Sequence, residues 1–358
     1  MKKKLSILIT SFSIIFTANQ ASAQGCVAIR STGGYCSMQQ ADSSKWQLSI
    51  NNRYFKSFRH FVGTDEQKQR MELGTEVINH STATDIAITR KLNSRWSLML
   101  DMPILSNARS SLYEHANLGR NTTHSFGLGD MRIALYSWLW NPEKLYKGNI
   151  QVGLGIKLPT GAYNYQDYFK VTDSTKRLGP VDQSIQLGDG GTGLTLEING
   201  FYNVTHSVGL YGNFYYLSNP REQNGVSTAR GGTPSATAVF NGSDVMSVPD
   251  QMMIRAGVNY MIHRLTVSAG LREEVLPVYD LIGGSNGFRR PGRILTVEPG
   301  ITYSLPKVSL FAYVPTALSR NRTQSVPDKI STARTGKFTQ GDAAFADYSI
   351  NVGASFKF

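Results

Sequence analysis

GDGGTG (Gly188–Gly193) satisfies the GxGxxG spacing that cradles a nucleotide phosphate. Phosphate binding of that kind needs a helix N-terminus directly after the glycines. The next residues here are TLEINGFY (Thr195–Tyr202), which alternate like a strand, so the site lacks its positive pole. Asp182 and Asp189 invite a calcium reading, but too few carboxylates stand at the spacing of a calcium loop. His124-Ser125 brings a base and a nucleophile together in sequence. On a strand, neighbours point to opposite faces, which argues against mutual hydrogen bonding. His60, His80 and His115 form no HExxH or equivalent spacing. No nucleophile, base and orienter can be named as a set, so the chain is not read as an enzyme and a hydrolase ranks third. No cofactor or metal is expected.

Cys26 and Cys36 lie close together in GCVAIRSTGGYC. In an oxidising compartment the simple reading is a disulfide closing a short loop. A metal pair is weaker, because no His or carboxylate stands nearby at ligand spacing. Lipidation of Cys26 is a further alternative, with Ala23-Gln24-Gly25-Cys26 as a loose lipobox that Gln24 fits poorly. The oxidising compartment is inferred from the N-terminus. Lys2, Lys3 and Lys4 precede an apolar run, Leu5–Thr17, and the small-residue site Ala21-Ser22-Ala23. Residues 1–23 therefore read as a signal peptide, with the mature chain starting at Gln24. The run is too short to span comfortably as a transmembrane helix. Residues 24–44 either hang in the periplasm or fold into a lumen as a small plug.

The remainder, residues 45–358, must supply the elements. Only 17% of the chain is charged and its mean hydropathy is −0.24, which suits neither a disordered chain nor a helical membrane protein. The last stretch, YSINVGASFKF, places Tyr348, Ile350, Val352, Ala354, Phe356 and Phe358 on one face and polar or small residues on the other. Twelve such strands are expected: Lys45–Phe55, Gly74–Lys91, Arg95–Leu105, Ser125–Trp140, Asn149–Leu158, Thr192–Val204, Ser207–Leu217, Gln251–Ile262, Arg264–Val275, Arg293–Leu305, Lys307–Thr316 and the terminal strand. Connections after even-numbered strands are short, such as Thr205-His206, His263 and Pro306, and those after odd-numbered strands are long and polar. That alternation describes a transmembrane antiparallel up-and-down β-barrel, all-β, with short periplasmic turns and long outer loops. A soluble β-sandwich has no reason to put every long loop at one end. Trp46, Trp96, Trp138, Trp140, Tyr216, Tyr260, Tyr303 and Phe358 lie near strand ends, as interfacial girdles require.

Pleat parity turns the polar face of each strand inward. It assigns Arg53, Arg132, Lys157, Arg255 and Arg272 to the lumen, together with Asp85, Asp101, Asp130, Glu197, Glu274, Glu298 and Asp347. Buried charges need partners, so ladders of ion pairs are expected there. The formal charge of +12 falls to +9 without Lys2, Lys3 and Lys4, and with a slightly acidic lumen the positive excess is expected in the outer loops. There it would meet lipopolysaccharide phosphates or anionic solutes. Nucleic acid is not an expected partner of an exported chain. Gly161–Leu187 carries Tyr163, Tyr165, Tyr168 and Phe169, enough apolar surface to fold inward or to touch an apolar solute, whereas Asn219–Val248 reads as mobile.

GLGD (Gly127–Asp130) and KLPTG (Lys157–Gly161) lie on adjacent strands joined by a short turn. This pairing resembles the outer-membrane barrels associated with the meta-pathway of phenol degradation, a family loosely similar to the long-chain fatty-acid transporter type. The resemblance implies a bacterial outer-membrane location and passage of small, apolar or aromatic molecules. It also implies that the terminal Phe358 is the tag recognised by the barrel-insertion machinery. The expectation is thus an outer-membrane channel for passive diffusion of small solutes, in contact with outer-membrane lipid and lipopolysaccharide. A closed barrel with a structural or surface-binding role is the alternative.

Overall fold

The computed structural model describes residues 44–358 apart from Tyr146. The expected signal peptide, most of the 24–44 segment and both cysteines lie outside the described residues. Twelve strands form the wall. In chain order they are β1 (Trp46–Val62), β2 (Ile78–Lys91), β3 (Trp96–Ser111), β4 (Asn121–Leu128 and Arg132–Trp138), β5 (Gly148–Lys157) and β6 (Gly193–Asn203). The second half comprises β7 (Val208–Ser218), β8 (Gln251–Ile262), β9 (Leu265–Leu276), β10 (Gly292–Ser304), β11 (Val308–Tyr313 and Thr316–Arg322) and β12 (Ala343–Lys357). Each pairs antiparallel with its neighbour, and β12 returns to β1 from Gln47↔Lys357 to Phe61↔Ala343. In the lower part of the wall closure leaves no free sheet edge, which is what permits strands to cross a membrane. A chain that ends in mid-strand is therefore paired on both sides: Val352 lies opposite Asn52 on β1 and Ala312 on β11.

The two faces differ as the alternation demands. On β5, Ile150, Leu154 and Ile156 point outward and are exposed, while Asn149 and Lys157 are buried inside. An exposed belt of Leu, Ile, Val and aromatic side chains on the wall is a surface for lipid, not water. Inside, rings lie flat over glycines of the next strand. A Cβ on Gly153 would collide with the Tyr136 ring, and one on Gly300 with that of Tyr313. Only glycine admits that approach.

Most strands run past the expected limits at the outer end. β1 continues to Val62 and β3 to Ser111, because polar residues on both faces hid the strand period there. β2 begins at Ile78 rather than Gly74, since a short helix, Gln69–Glu72, occupies the turn before it. β4 is broken at Gly129–Met131. Gly127 has φ +152°, and the Gly129 N–H crosses to the Pro103 carbonyl at 2.8 Å. Only the lower half of β4 pairs with β5, from Arg132↔Lys157 to Trp138↔Gln151. The upper half pairs with β3, and its far edge meets a loop hairpin, Gln166–Lys170 with Lys176–Pro180. There His124 donates its backbone N–H to Asp167 at 2.7 Å.

Asn219–Val248 corrects a sequence expectation. It is folded: Gln223–Ser227 pairs with Val245–Ser247, a Ser235-capped helix spans Ala236–Asn241, and Met246 and Val248 are buried. Small residues favour loops on average, but here Ser235 caps and Gly242 terminates a helix turn. The last outer loop contains helix α1, Val326–Thr335, with a full capping box between Ser325 and Asp328.

Candidate functional site: the lumen and its cap

At least ten of the twelve predicted lumen residues take part in ion pairs among the described residues. Arg132 on β4 pairs with Glu197 on β6 and lies 3.7 Å from Asp101 on β3, while the Tyr136 hydroxyl donates to Glu197 at 2.9 Å. Glu298 on β10 is fully buried and accepts from Arg255 at 3.0 Å and Arg272 at 3.2 Å. Arg272 also holds Glu274 at 2.8 Å. The ladder continues sideways from Arg255 to Asn213 at 2.8 Å and from Asn213 to Asn199 at 2.7 Å. Arg53 and Asp85 are buried as well. Neither carboxylate oxygen of Asp85 has a hydrogen-bond partner among the described residues. Asp347 stands apart, a third exposed, between Arg59 and Arg320.

GLGD and KLPTG meet at the break in β4. The Asp130 carboxylate accepts the N–H of Gly161 at 3.0 Å and of Asp189 at 3.1 Å, and Lys157 reaches it at 3.3 Å. Lys157 also pairs with Asp189. Thr160 completes the junction by donating to the Gly129 carbonyl at 2.8 Å and accepting the Met131 N–H at 2.9 Å. The two motifs are thus one knot that ties the long β5–β6 loop to the wall.

That loop folds inward, as its aromatic content predicted. Leu187 packs on Ala83 and Leu105 inside the barrel, with Tyr165 behind it. Gln183 donates to the Ser247 carbonyl at 2.8 Å, joining this loop to the β7–β8 loop across the mouth. Beneath them is a cavity of ≈ 140 Å³. Its lining mixes apolar side chains, Phe55, Leu105, Leu187, Leu217 and Met246, with charged ones, Arg53, Asp101, Asp130, Arg132 and Lys157, and with the polar Asn107, Gln183 and Gln186.

Sequence reading missed a second cluster above the cap. Arg109, only 3% exposed, grips Glu114 at 2.9 Å and lies 3.5 Å from Asp182, which accepts Arg290 at 2.7 Å. Arg230 joins Glu114 at 2.9 Å. Burial alone would push the Asp182 carboxyl up, but Arg109 and Arg290 hold it well below the usual carboxylate range. Burial likewise opposes the ionised Asp342, yet His60 and Arg70 hold it down. Burial lowers the His115 imidazole, which stacks on Phe169 at 5.5 Å. The signal for this cluster was the surplus of arginine in polar loops, which a loop reading treats as solvated charge.

The residues first weighed for chemistry are placed elsewhere. Asp182 and Asp189 do not converge on a calcium site, since each is engaged by its own cations. Among the described residues no group of His, Cys, Asp and Glu has metal-ligand geometry. Ser125 is buried and donates to the Ile185 carbonyl, while His124 is exposed on the other face, so the pair cannot act together.

Two expectations are corrected. Trp138 continues the inward face of β4 and packs edge-on against Phe201 at 6.0 Å, so it is no girdle residue. The positive excess is not in the outer loops, where carboxylates nearly match the cations. It stands at the short-turn end, with Lys45, Arg90, Lys91, Arg95, Lys144, Lys147, Arg264, Lys307 and Lys357 against Glu143 alone among the side chains of the described residues.

No protein-family profile matches the chain. No curated protein matches it either. Among solved structures it is similar to the COG4313 outer membrane channel from Pseudomonas putida F1, with a TM-score of 0.58 at 10% identity, over 90% of this chain and 98% of that one. The translocator domain of autotransporter NalP from Neisseria meningitidis matches at a TM-score of 0.45 and 12% identity, over 90% and 91% of the two chains. A Pseudomonas aeruginosa FadL homologue matches at 0.42 and 8%, over 88% and 91%. An outer-membrane β-barrel was the expectation from the strand alternation, and GLGD and KLPTG carried the resemblance to a family of such barrels. The closed wall, its apolar exterior and the first of these likenesses agree on that fold: a twelve-stranded outer-membrane β-barrel.

Proposed function

We propose that the chain is an outer-membrane channel for small amphipathic solutes, passed through a lumen narrowed by its own loops. The observation that carries this reading is the mixed lining of the cavity. Apolar side chains such as Leu105 and Leu187 and charged ones such as Arg53, Arg132 and Lys157 face one space. A volume of ≈ 140 Å³ is close to the engineered cavity of about 150 Å³ that holds one benzene. A single-ring molecule with a carboxylate or hydroxyl tail would place its ring against Leu105 and Leu187 and its tail toward Arg53, Arg132 and Lys157. In this role the lumen residues Arg53, Asp85, Asp101, Asp130, Arg132, Lys157, Glu197, Arg255, Arg272, Glu274 and Glu298 set selectivity, by the width they leave and the charge they offer. Asp347 belongs to the mouth rather than the constriction.

The test is single-channel conductance of the folded protein in a planar bilayer under a salt gradient. Small discrete steps, reduced by added benzoate and unaffected by glucose, are expected. A folded, heat-modifiable barrel that neither conducts nor admits benzoate into liposomes overturns the proposal. The second reading, a closed barrel with a surface role, then stands. It draws on the same ladder, since Arg132 and Asp130 line the cavity but are also ion-paired.

A further inference from the structure

Residues 44–358 carry 33 basic and 24 acidic side chains, an excess of nine. Eight of that excess sits at the short-turn end of the barrel, in the nine cations and single carboxylate side chain named above. The fold crowds these cations instead of separating them. The Lys91 N–H bonds the Lys45 carbonyl at 2.8 Å, and the Lys357 N–H bonds the Lys307 carbonyl at 2.8 Å, so like charges are neighbours around the rim. Lys45, Arg90, Arg95, Lys144, Lys147, Arg264 and Lys307 form no ion pair with a described carboxylate. At the outer end the opposite holds, and buried arginines are matched one by one with Asp or Glu. Seven cations with no described carboxylate partner, kept where the sequence elsewhere supplies partners, call for anions from outside.

Aromatic residues fix where those anions lie. Trp46, Trp96, Trp140, Tyr202, Tyr260 and Tyr303 are exposed at this end, at the lower border of the apolar belt. Arg90 lies 5.3 Å over the Trp46 ring, and Lys147 lies 5.7 Å over that of Tyr202. Tryptophan and tyrosine settle at the headgroup level of a bilayer, and cations stacked on them sit at the depth of the lipid phosphates. We propose that the short-turn rim is a binding girdle for the phosphodiester headgroups of anionic phospholipid in the leaflet that surrounds it. Its neutral or zwitterionic neighbours in that leaflet offer no net charge to the ring.

Tryptophan fluorescence tests this directly, because Trp46, Trp96 and Trp140 are exposed at this rim, while Trp138 faces inward and adds a constant background. The folded protein is placed in nanodiscs containing equal mole fractions of brominated phosphatidylglycerol or brominated phosphatidylcholine. Phosphatidylglycerol is expected to quench about twice as strongly at low salt, since each rim cation attracts anionic lipid. The excess should vanish near 1 M salt, where the screening length is about 3 Å. The triple variant K147Q/R264Q/K307Q removes three of the nine cations and should clearly reduce that excess while keeping its heat-modifiable mobility. Should it not fold, K307Q in the exposed Pro306-Lys307 turn should give a partial loss. Equal quenching by both lipids in the wild-type protein at low salt overturns the proposal. So does an excess that the triple substitution leaves unchanged. The measurement needs no conductance, so a closed barrel leaves it intact.

Discussion

Asp130 and Lys157 are 3.3 Å apart across the break in β4, and the same Asp130 carboxylate caps the Gly161 N–H at 3.0 Å. One side chain therefore fixes both the end of β5 and the start of the loop that roofs the cavity. Asp130→Ala removes the acceptor of two backbone N–H groups and leaves Lys157 to Asp189 alone. Breaking a buried pair costs about 3–5 kcal/mol when one partner stays behind. The cap should swing free, raising open-channel conductance severalfold with the barrel still heat-modifiable. Unchanged conductance in a folded variant would show that the knot does not hold the cap.

Arg132 and Glu197 form the centre of the ladder, and both are nearly inaccessible. Glu197→Gln should destabilise the barrel by about 3 kcal/mol in urea unfolding, because it strands a buried guanidinium. The double replacement Arg132→Met with Glu197→Met should recover most of that loss, since an apolar pair of similar volume avoids desolvation. It should also abolish any charge selectivity set at this rung.

Leu154 on the outward face of β5 is 64% exposed, which in water would be a poor choice. Because lipid covers this face, Leu154→Arg should cost about 2–4 kcal/mol in urea titration of the folded barrel in vesicles. The same change at an outer-loop position such as Tyr168, also exposed, should cost under about 0.5 kcal/mol. Equal costs at the two sites would contradict the membrane placement of the wall.

Acid should open the cap before it unfolds the wall. A free carboxyl of this type titrates near 3.8, and Asp182 is held well below that by Arg109 and Arg290. A depressed pKa stabilises the folded form above the unfolded value, and that stability is lost as pH falls through the folded one. Conductance is therefore expected to be constant from pH 7 to pH 5 and to rise only below about pH 3.8. A rise between pH 7 and pH 5 would point to histidine instead, with His115 the group to substitute.

The strands, their inward and outward faces and the barrel class were legible in the sequence because each rests on a period of two. That period survives wherever one face meets lipid, as in Ile150, Leu154 and Ile156. It fails above the membrane, where β1 and β3 run on with polar residues on both faces, and no local pattern marks their ends. Parity alone turned Arg132, Glu197 and Glu298 inward. It could not say which of them touch, since partners such as Arg255 and Glu298 lie 43 positions apart and two strands removed. GLGD and KLPTG were visible as motifs, but their meeting through Asp130 exists only once β4 breaks and the loop returns. The cap above them was foreshadowed by Tyr165 and Phe169, yet its salt bridges, Arg109 to Asp182 and Arg290 to Asp182, join the outer end of β3 to two separate loops. Local pattern determines a wall because each strand carries its own two faces. The cap and the charge asymmetry between the two rims are sums over distant segments, and only closure of the barrel brings those segments together.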